Sequence, residues 1–179
     1  HHTNGRSVDY LQAGFFCRFY ARYYDWKSVD INLNAIHVPV MVDEVVCGLR
    51  LNSGGTWLDC TVGDGGHSTS ILKVTGPSGF LLGLDKDEQG LNVARQVLEP
   101  FQGRFKLIKS SYAEMATEAN RHGIPAVDGV LFDLGISSRQ VEETGYGLSF
   151  NKSEDLDMRF DKSSELTAMD VVNEYSCDD

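Results

Sequence analysis

Apolar positions recur along the chain in two rhythms. Over residues 40–49 they fall at Val42, Val45, Val46 and Leu49, a helical spacing, and the stretch runs out at the turn Asn52-Ser53-Gly54-Gly55. Residues 56–62 then form a short, nearly continuous apolar run into a glycine loop, the pattern of a strand buried on both faces of a parallel sheet. The alternation repeats. A helix is predicted over 68–74, a turn at Gly76-Pro77-Ser78-Gly79, and a second buried strand over 80–84 that ends on Asp85. A helix over 87–98 is stopped by Pro100, and a third strand over 105–108, a helix over 112–121 and a fourth strand over 127–134 follow. Strand and helix alternating in this way predict an α/β fold, an open, mostly parallel sheet with flanking helices. Ligands of such sheets bind beyond the carboxyl ends of the strands, so chemistry is expected just after Val62, Leu84, Ile108 and Phe132.

Two segments stand outside the repeat. Residues 7–27 carry Leu11, Phe15, Phe16, Phe19, Tyr20, Tyr23 and Tyr24, an aromatic stripe at roughly helical spacing. It reads as a helix packed on the body of the protein, with a base-stacking surface as the alternative. Residues 142–165 are polar and glycine-containing, and Thr167-Ala168-Met169-Asp170 then resembles a helix N-cap ahead of Val171 and Val172.

Composition narrows the class. A chain of 179 residues, 41% hydrophobic, suffices for one domain with a real core. No apolar run approaches a membrane span and no cationic, then apolar, leader opens the chain, so a cytoplasmic protein is expected. His1 and His2 read as the remnant of a purification tag, and residues 1–6 carry no expected element of the fold. Cys17, Cys47, Cys60 and Cys177 lack CxxC spacing and read as reduced thiols, not as a disulfide or zinc framework; no metal site is expected. Sixteen Lys and Arg face 26 Asp and Glu, a formal net charge of −10 with only a mild basic cluster at Arg18, Arg22 and Lys27. That balance argues against a tight, unaided grip on nucleic-acid phosphates.

The chemistry concentrates in Asp59-Cys60-Thr61-Val62-Gly63-Asp64-Gly65-Gly66-His67. An acid ends the first strand, and a glycine loop that lets backbone approach a ligand leads into a helix. The spacing is not the dinucleotide G-x-G-x-x-G, which sets a nicotinamide oxidoreductase aside, and no P-loop lysine follows. An acid, three residues and G-x-G is instead the form typical of S-adenosylmethionine sites. Asp85, ending the second strand, stands where an acid in such folds accepts the ribose hydroxyls, although Asp87 and Glu88 at a helix start leave a turn or cap role open. The fourth strand ends in Leu131-Phe132-Asp133-Leu134-Gly135-Ile136-Ser137-Ser138, where amino-group methyltransferases place the polar residue that meets the target amine. Asp133 and the serine hydroxyls are candidates for that contact, and Asp133 is equally a candidate for the cofactor's amino group. No Asn/Asp-Pro-Pro-Tyr motif is present.

Seven collinear motifs make the chain similar to the RsmH (MraW) family from about Ile36 to Ser176. They are His37-Val38-Pro39-Val40-Met41, Thr61 through Ser68, Leu84-Asp85-Lys86-Asp87, Asp133 through Gln140, Gly147-Leu148-Ser149-Phe150, Asp155 through Asp161 and Leu166 through Asn173. The resemblance implies a class I, Rossmann-like methyltransferase that transfers methyl from S-adenosyl-L-methionine to the N4 amine of a cytosine in small-subunit ribosomal RNA. It implies cofactor contacts at Gly65, Gly66, His67, Asp85, Tyr112, Asp133 and Gln140, beside Asp59 and Gly63 of the loop, and catalytic roles for Asp133 and Ser137. The Asp155–Asp161 stretch would line the RNA-facing side. Family members are longer, their domain being interrupted after the fourth strand by a helical, substrate-recognising insert. The expected organisation is an N-terminal extension at 1–35, a cofactor-binding core at 36–141, and the beginning of that insert at 142–179. The second half of the sheet is missing on this reading. A catalytically silent module that keeps cofactor or nucleoside affinity is the competing expectation. A fourth strand with no fifth beside it would expose an unpaired edge, for which a homodimer is the expected remedy.

Overall fold

A computed structural model of the protein describes residues 39–176, so the aromatic stripe of residues 7–27, His37, Val38 and the basic cluster lie outside the described residues. Helix α1 (Val42–Gly48) turns at Leu49 toward strand β1 (Thr56–Asp59). Helix α2 (Gly66–Val74) leads through a 3-10 turn to β2 (Phe80–Asp85), and α3 (Glu88–Val97) through another to β3 (Phe105–Lys109). A third 3-10 turn (Tyr112–Glu114), α4 (Met115–Arg121), β4 (Gly129–Leu131), α5 (Ser138–Glu142) and α6 (Ala168–Glu174) complete the order. The four strands are parallel, in the order β3-β2-β1-β4. No described helix is long and apolar enough to cross a membrane.

The uninterrupted apolar runs of β1 and β2 resolve into two faces because successive side chains point to opposite sides of a sheet. Trp57 and Leu81 join Leu51, Ile71, Leu72, Leu98 and Leu131 in one cluster. Leu58, Leu82 and Leu84 point the other way, against Cys60 and Ala119. Helices therefore cover both faces, and each fully buried leucine contributes roughly 1.5–3 kcal/mol. Trp57 keeps its ring N–H satisfied by donating to the Gly54 carbonyl (3.1 Å) at the base of the sheet.

Three departures from the periodicity have local causes. The fourth strand pairs over Gly129–Leu131 alone, because past Leu131 the chain leaves the ladder: the Asp133 amide donates to Thr61 Oγ1 (2.7 Å). The predicted helix over 112–121 begins as a 3-10 turn, with Ser111 accepting from the Ala113 amide. Helix α5 is too short to show a period, and what nucleates it is a capping box: Ser137 Oγ accepts from the Gln140 amide while Gln140 Oε1 accepts from the Ser137 amide. The cap expected at Thr167 is present, with Asp170 completing its box. Among the described residues no strand pairs with the outer edge of β4, and Phe132, Leu134 and Ile136, in the segment that follows it, are exposed.

Candidate functional site

A cleft of about 400 Å³ opens beyond the carboxyl ends of the strands. The chain leaves β1 toward β2 and later returns on β1's other side as β4, and this reversal of strand order is what leaves a crevice in an open α/β sheet. Gly63, Gly66, His67, Asp85, Tyr112, Asp133, Ser137 and Gln140, all singled out from sequence, line it. Asp59 and Gly65 do not.

Asp59 stands behind the loop. It has no solvent exposure, and its carboxylate accepts from Ser68 Oγ (2.7 Å) and the Thr61 amide (3.1 Å), tying the end of β1 to the first turn of α2. Burial pushes its carboxyl up, against the pull of those two hydrogen bonds and of His67. The neighbouring glycines serve different ends. Gly63 (φ +52°) has open space where a Cβ would stand, and its amide donates to Asp85 Oδ2 (2.7 Å). Gly65 (φ +91°) faces α3, where a Cβ would meet the Ala94 Cα at 3.2 Å.

Asp85 lines the cleft and also holds the turn that follows β2. One carboxylate oxygen takes the Gly63 amide and the other the Asp87 amide (2.9 Å), while lone pairs remain for a ligand. Burial pushes this carboxyl up as well, with the amides of Asp87 and Gly63 opposing. Across the cleft, His67 Nε2 lies 3.4 Å from Asp133 Oδ2; the histidine side chain is 7% exposed and the aspartate 50%, so the carboxylate faces the opening. His67 Nδ1 is buried with no hydrogen-bond partner among the described residues. Tyr112 is half-exposed at the rim and meets the Phe132 ring edge-on, centroids 6.0 Å apart. Gln140 borders the cleft, but its amide nitrogen donates to Asp87 Oδ2 (2.9 Å) and its oxygen is held by the cap. Ser137 Oγ accepts within that cap, which leaves its hydroxyl proton to donate. Cys60, also on the wall, has its thiol pushed up to about 11 by burial and by Asp59, so it stays protonated and poorly nucleophilic.

Sequence reasoning missed the group beneath this wall. Arg139 donates to Asp64 Oδ1 (2.8 Å), Asp87 Oδ2 (2.6 Å), Glu143 Oε2 (3.1 Å) and the Tyr146 hydroxyl (3.2 Å). Asp87 also caps α3 by accepting from the Gln89 amide (2.9 Å). Burial works against the charge on Asp87, yet hydrogen bonds from Arg139, Gln140 and Tyr146 prevail and hold its carboxyl below the usual range. Only the capping role of Asp87 had a signal, at the helix start; its other partners lie more than fifty residues away. Among the described residues no group of three or more His, Cys, Asp or Glu is placed to hold a metal ion.

A parallel sheet in the order 3-2-1-4, with a glycine loop after β1 and acids following β2 and β4, is a Rossmann-like α/β fold, the arrangement that class I methyltransferases share. The chain matches the model of the MraW methylase family over residues 34–179, and it belongs to that family. It is 44% identical over 139 residues to a protein named ribosomal RNA small subunit methyltransferase H from Symbiobacterium thermophilum, covering 78% of this chain and 44% of that one. The protein of the same name from Persephonella marina is 46% identical over 140 residues, covering 78% of this chain and 47% of that one. The chain thus spans about half the length of the curated relatives it matches. Among solved structures it is similar to Aeropyrum pernix fibrillarin in complex with S-adenosyl-L-methionine, at a TM-score of 0.41 and 18% identity, covering 50% of this chain and 38% of that one.

Proposed function

We propose that the chain is the S-adenosyl-L-methionine-binding part of a methyltransferase acting on the N4 amine of a cytosine in small-subunit ribosomal RNA. The observation that carries this reading is that Asp85 and Asp133 line one cleft together with Gly63, where a Cβ would enter open space. The residues fit such a cofactor: a carboxylate with lone pairs to spare, a glycine with open space where a Cβ would stand, and a buried imidazole nitrogen without a partner among the described residues. When bound, the cofactor supplies an electrophilic methyl group on sulfur. Asp85 would accept from the ribose hydroxyls, Tyr112 would flank the base, and Gly63, Gly65, Gly66 and His67 would shape the loop around the remainder, with Asp59 bracing it and Gln140 closing the wall. A cytosine amine is a poor nucleophile because its lone pair is conjugated with the ring. Asp133, and Ser137 beside it, would hold the amine in line and accept its hydrogen bonds as the nitrogen pyramidalises, with His67 orienting Asp133.

On this reading residues 36–141 form the cofactor core, 1–35 an extension, and 142–179 the start of a substrate-recognition region. An rRNA substrate puts the protein in the cytoplasm. The net charge of −10 favours one further reading, a module that keeps cofactor affinity without turnover, since it offers RNA little attraction.

Calorimetry should find binding of S-adenosylmethionine and none of NAD. Asp85→Ala is expected to lose about 1–3 kcal/mol of that affinity, the scale for hydrogen bonds to a charged group. Unchanged affinity would remove Asp85 from the site. Methyl transfer to small-subunit RNA by these 179 residues alone should be slow; turnover at roughly 1 per second or faster would contradict a weak grip on RNA. The outer edge of β4, unpaired among the described residues, supports a homodimer for this chain, because another strand would satisfy its hydrogen bonds. Light scattering that finds a monomer at micromolar concentration would exclude it.

A further inference from the structure

The polar stretch over residues 143–165 forms a strap that ties itself together and returns to the cleft. Glu154 Oε2 accepts from the amides of Gly145 (3.1 Å) and Gly147 (3.0 Å), and the Met158 amide donates to the Tyr146 carbonyl (2.8 Å). Tyr146 itself is buried, its hydroxyl on the Asp87 carboxylate at 3.0 Å. Lys162 lies over the Tyr146 ring, 5.2 Å from its centroid, and pairs with Asp157 at 3.1 Å. The strap is thereby pinned at the N-terminus of α3, and its far limb is left to reach the cleft.

That limb ends in one ion pair. Asp161 Oδ1 lies 2.8 Å from Lys109 Nζ, and Lys109 is the last residue of β3. In the parallel register Lys109 stands beside Asp85, and the Ser110 amide donates to the Asp85 carbonyl (2.9 Å). The strap is therefore tethered at the rim shared by the acid after β2 and the aromatic residue after β3. Phe160, next to the tethered Asp161, lines the cleft together with Asp85, Ser110 and Tyr112. The hydrogen bond from Lys109 holds the Asp161 carboxyl at about 2, so the pair stays charged at neutral pH.

We propose that Phe160 is a second aromatic residue of the nucleobase end of the cleft, held there by the Lys109–Asp161 ion pair, so that the strap retains the bound nucleoside. This rests on the reading that the cleft takes an adenosyl cofactor, and it adds to that reading a contact from outside the sheet repeat. A planar base gains from an aromatic face whatever its edge pattern. The ion pair adds little binding energy of its own, being partly exposed. Its part is to limit how often the ring swings away, and that appears in the rate of release.

S-adenosylhomocysteine is the probe, with calorimetry for affinity and stopped-flow fluorescence for release from the full chain. Phe160→Ala should speed release roughly 5- to 150-fold, the range set by loss of one aromatic stack, and Phe160→Tyr, which keeps the ring, should restore the slow rate. Asp161→Asn should speed release about 2- to 5-fold at low salt. Wild-type release should quicken as salt screens the pair, and Asp161→Asn should lose that dependence. Should Phe160→Ala fold poorly, Phe160→Leu and Asp161→Asn give the same comparison. Wild-type binding with release unaltered in the Phe160 and Asp161 variants overturns the strap's role and leaves the cofactor site standing. No binding by the wild-type chain overturns both.

Discussion

Arg139→Met is expected to destabilise the protein by about 3 kcal/mol, the lower end of the range for breaking a buried ion pair. The guanidinium is 13% exposed and joins four elements: the glycine loop through Asp64, the start of α3 through Asp87, α5 from which it projects, and the strap through Tyr146. Methionine fills much of the volume but leaves Asp87, whose side chain is 2% exposed, with only Gln140, Tyr146 and the Gln89 amide against its charge. The sign with pH follows from the direction at Asp87. A carboxyl depressed in the folded state contributes stability above its unfolded value, and that contribution is lost as pH falls through the folded value. Denaturant titrations should therefore show wild type and variant far apart at pH 7 and converging below about pH 4. Adding Asp87→Asn to Arg139→Met should recover part of the loss, because the orphaned charge is then gone and residues of one network do not add. A variant as stable as wild type at pH 7, or a gap that widens in acid, would show that the network is not what holds these elements together.

The same network marks where sequence reading stops. The strands were legible because burial on both faces leaves near-continuous apolar runs, and β1 and β2 split cleanly between Trp57 and Leu58, and between Leu81 and Leu82. Asp85 and Asp133 were legible because strand ends in this topology converge on one cleft, so position along the chain predicts position in space. Arg139 was not, since its partners at Asp64 and Asp87 are 75 and 52 residues away and no period relates them. Helix α5 was not, because five residues are too few to show amphipathic spacing and the cap that starts it is made by the pair Ser137 and Gln140, read for other reasons. The strap was legible only through the resemblance, which set residues 155–161 beside the site; its polar composition carries no period, and its order comes from Glu154, Tyr146 and Lys162 acting across turns.

Gly65 shows the two kinds of information superposed. Read in sequence, it belongs to a loop whose glycines admit a ligand. In the structure it stands behind the cleft, at φ +91° against α3, its amide donating to the Val62 carbonyl (2.9 Å) and its carbonyl accepting from the Thr69 amide and hydroxyl. Gly65→Ala should accordingly cost stability even with no ligand present. The left-handed backbone penalises a Cβ by roughly 1–2 kcal/mol, and the contact with the Ala94 Cα at 3.2 Å, backbone that cannot rotate away, adds overpacking of about 1–3 kcal/mol. Together the loss is about 2–5 kcal/mol. Because Gly65 is also the N-cap of α2, relief of the clash would shift the first turn that carries His67, and affinity for S-adenosylhomocysteine should fall in the fraction that stays folded. Gly63→Ala makes the contrast: its Cβ enters open space, so it should lose affinity with a smaller loss of stability. Thermal denaturation beside calorimetry on the two variants separates the effects. Equal stability losses at the two positions, or a Gly65→Ala protein as stable as wild type, would mean that α3 yields to the added methyl and that the glycine answers to the ligand alone.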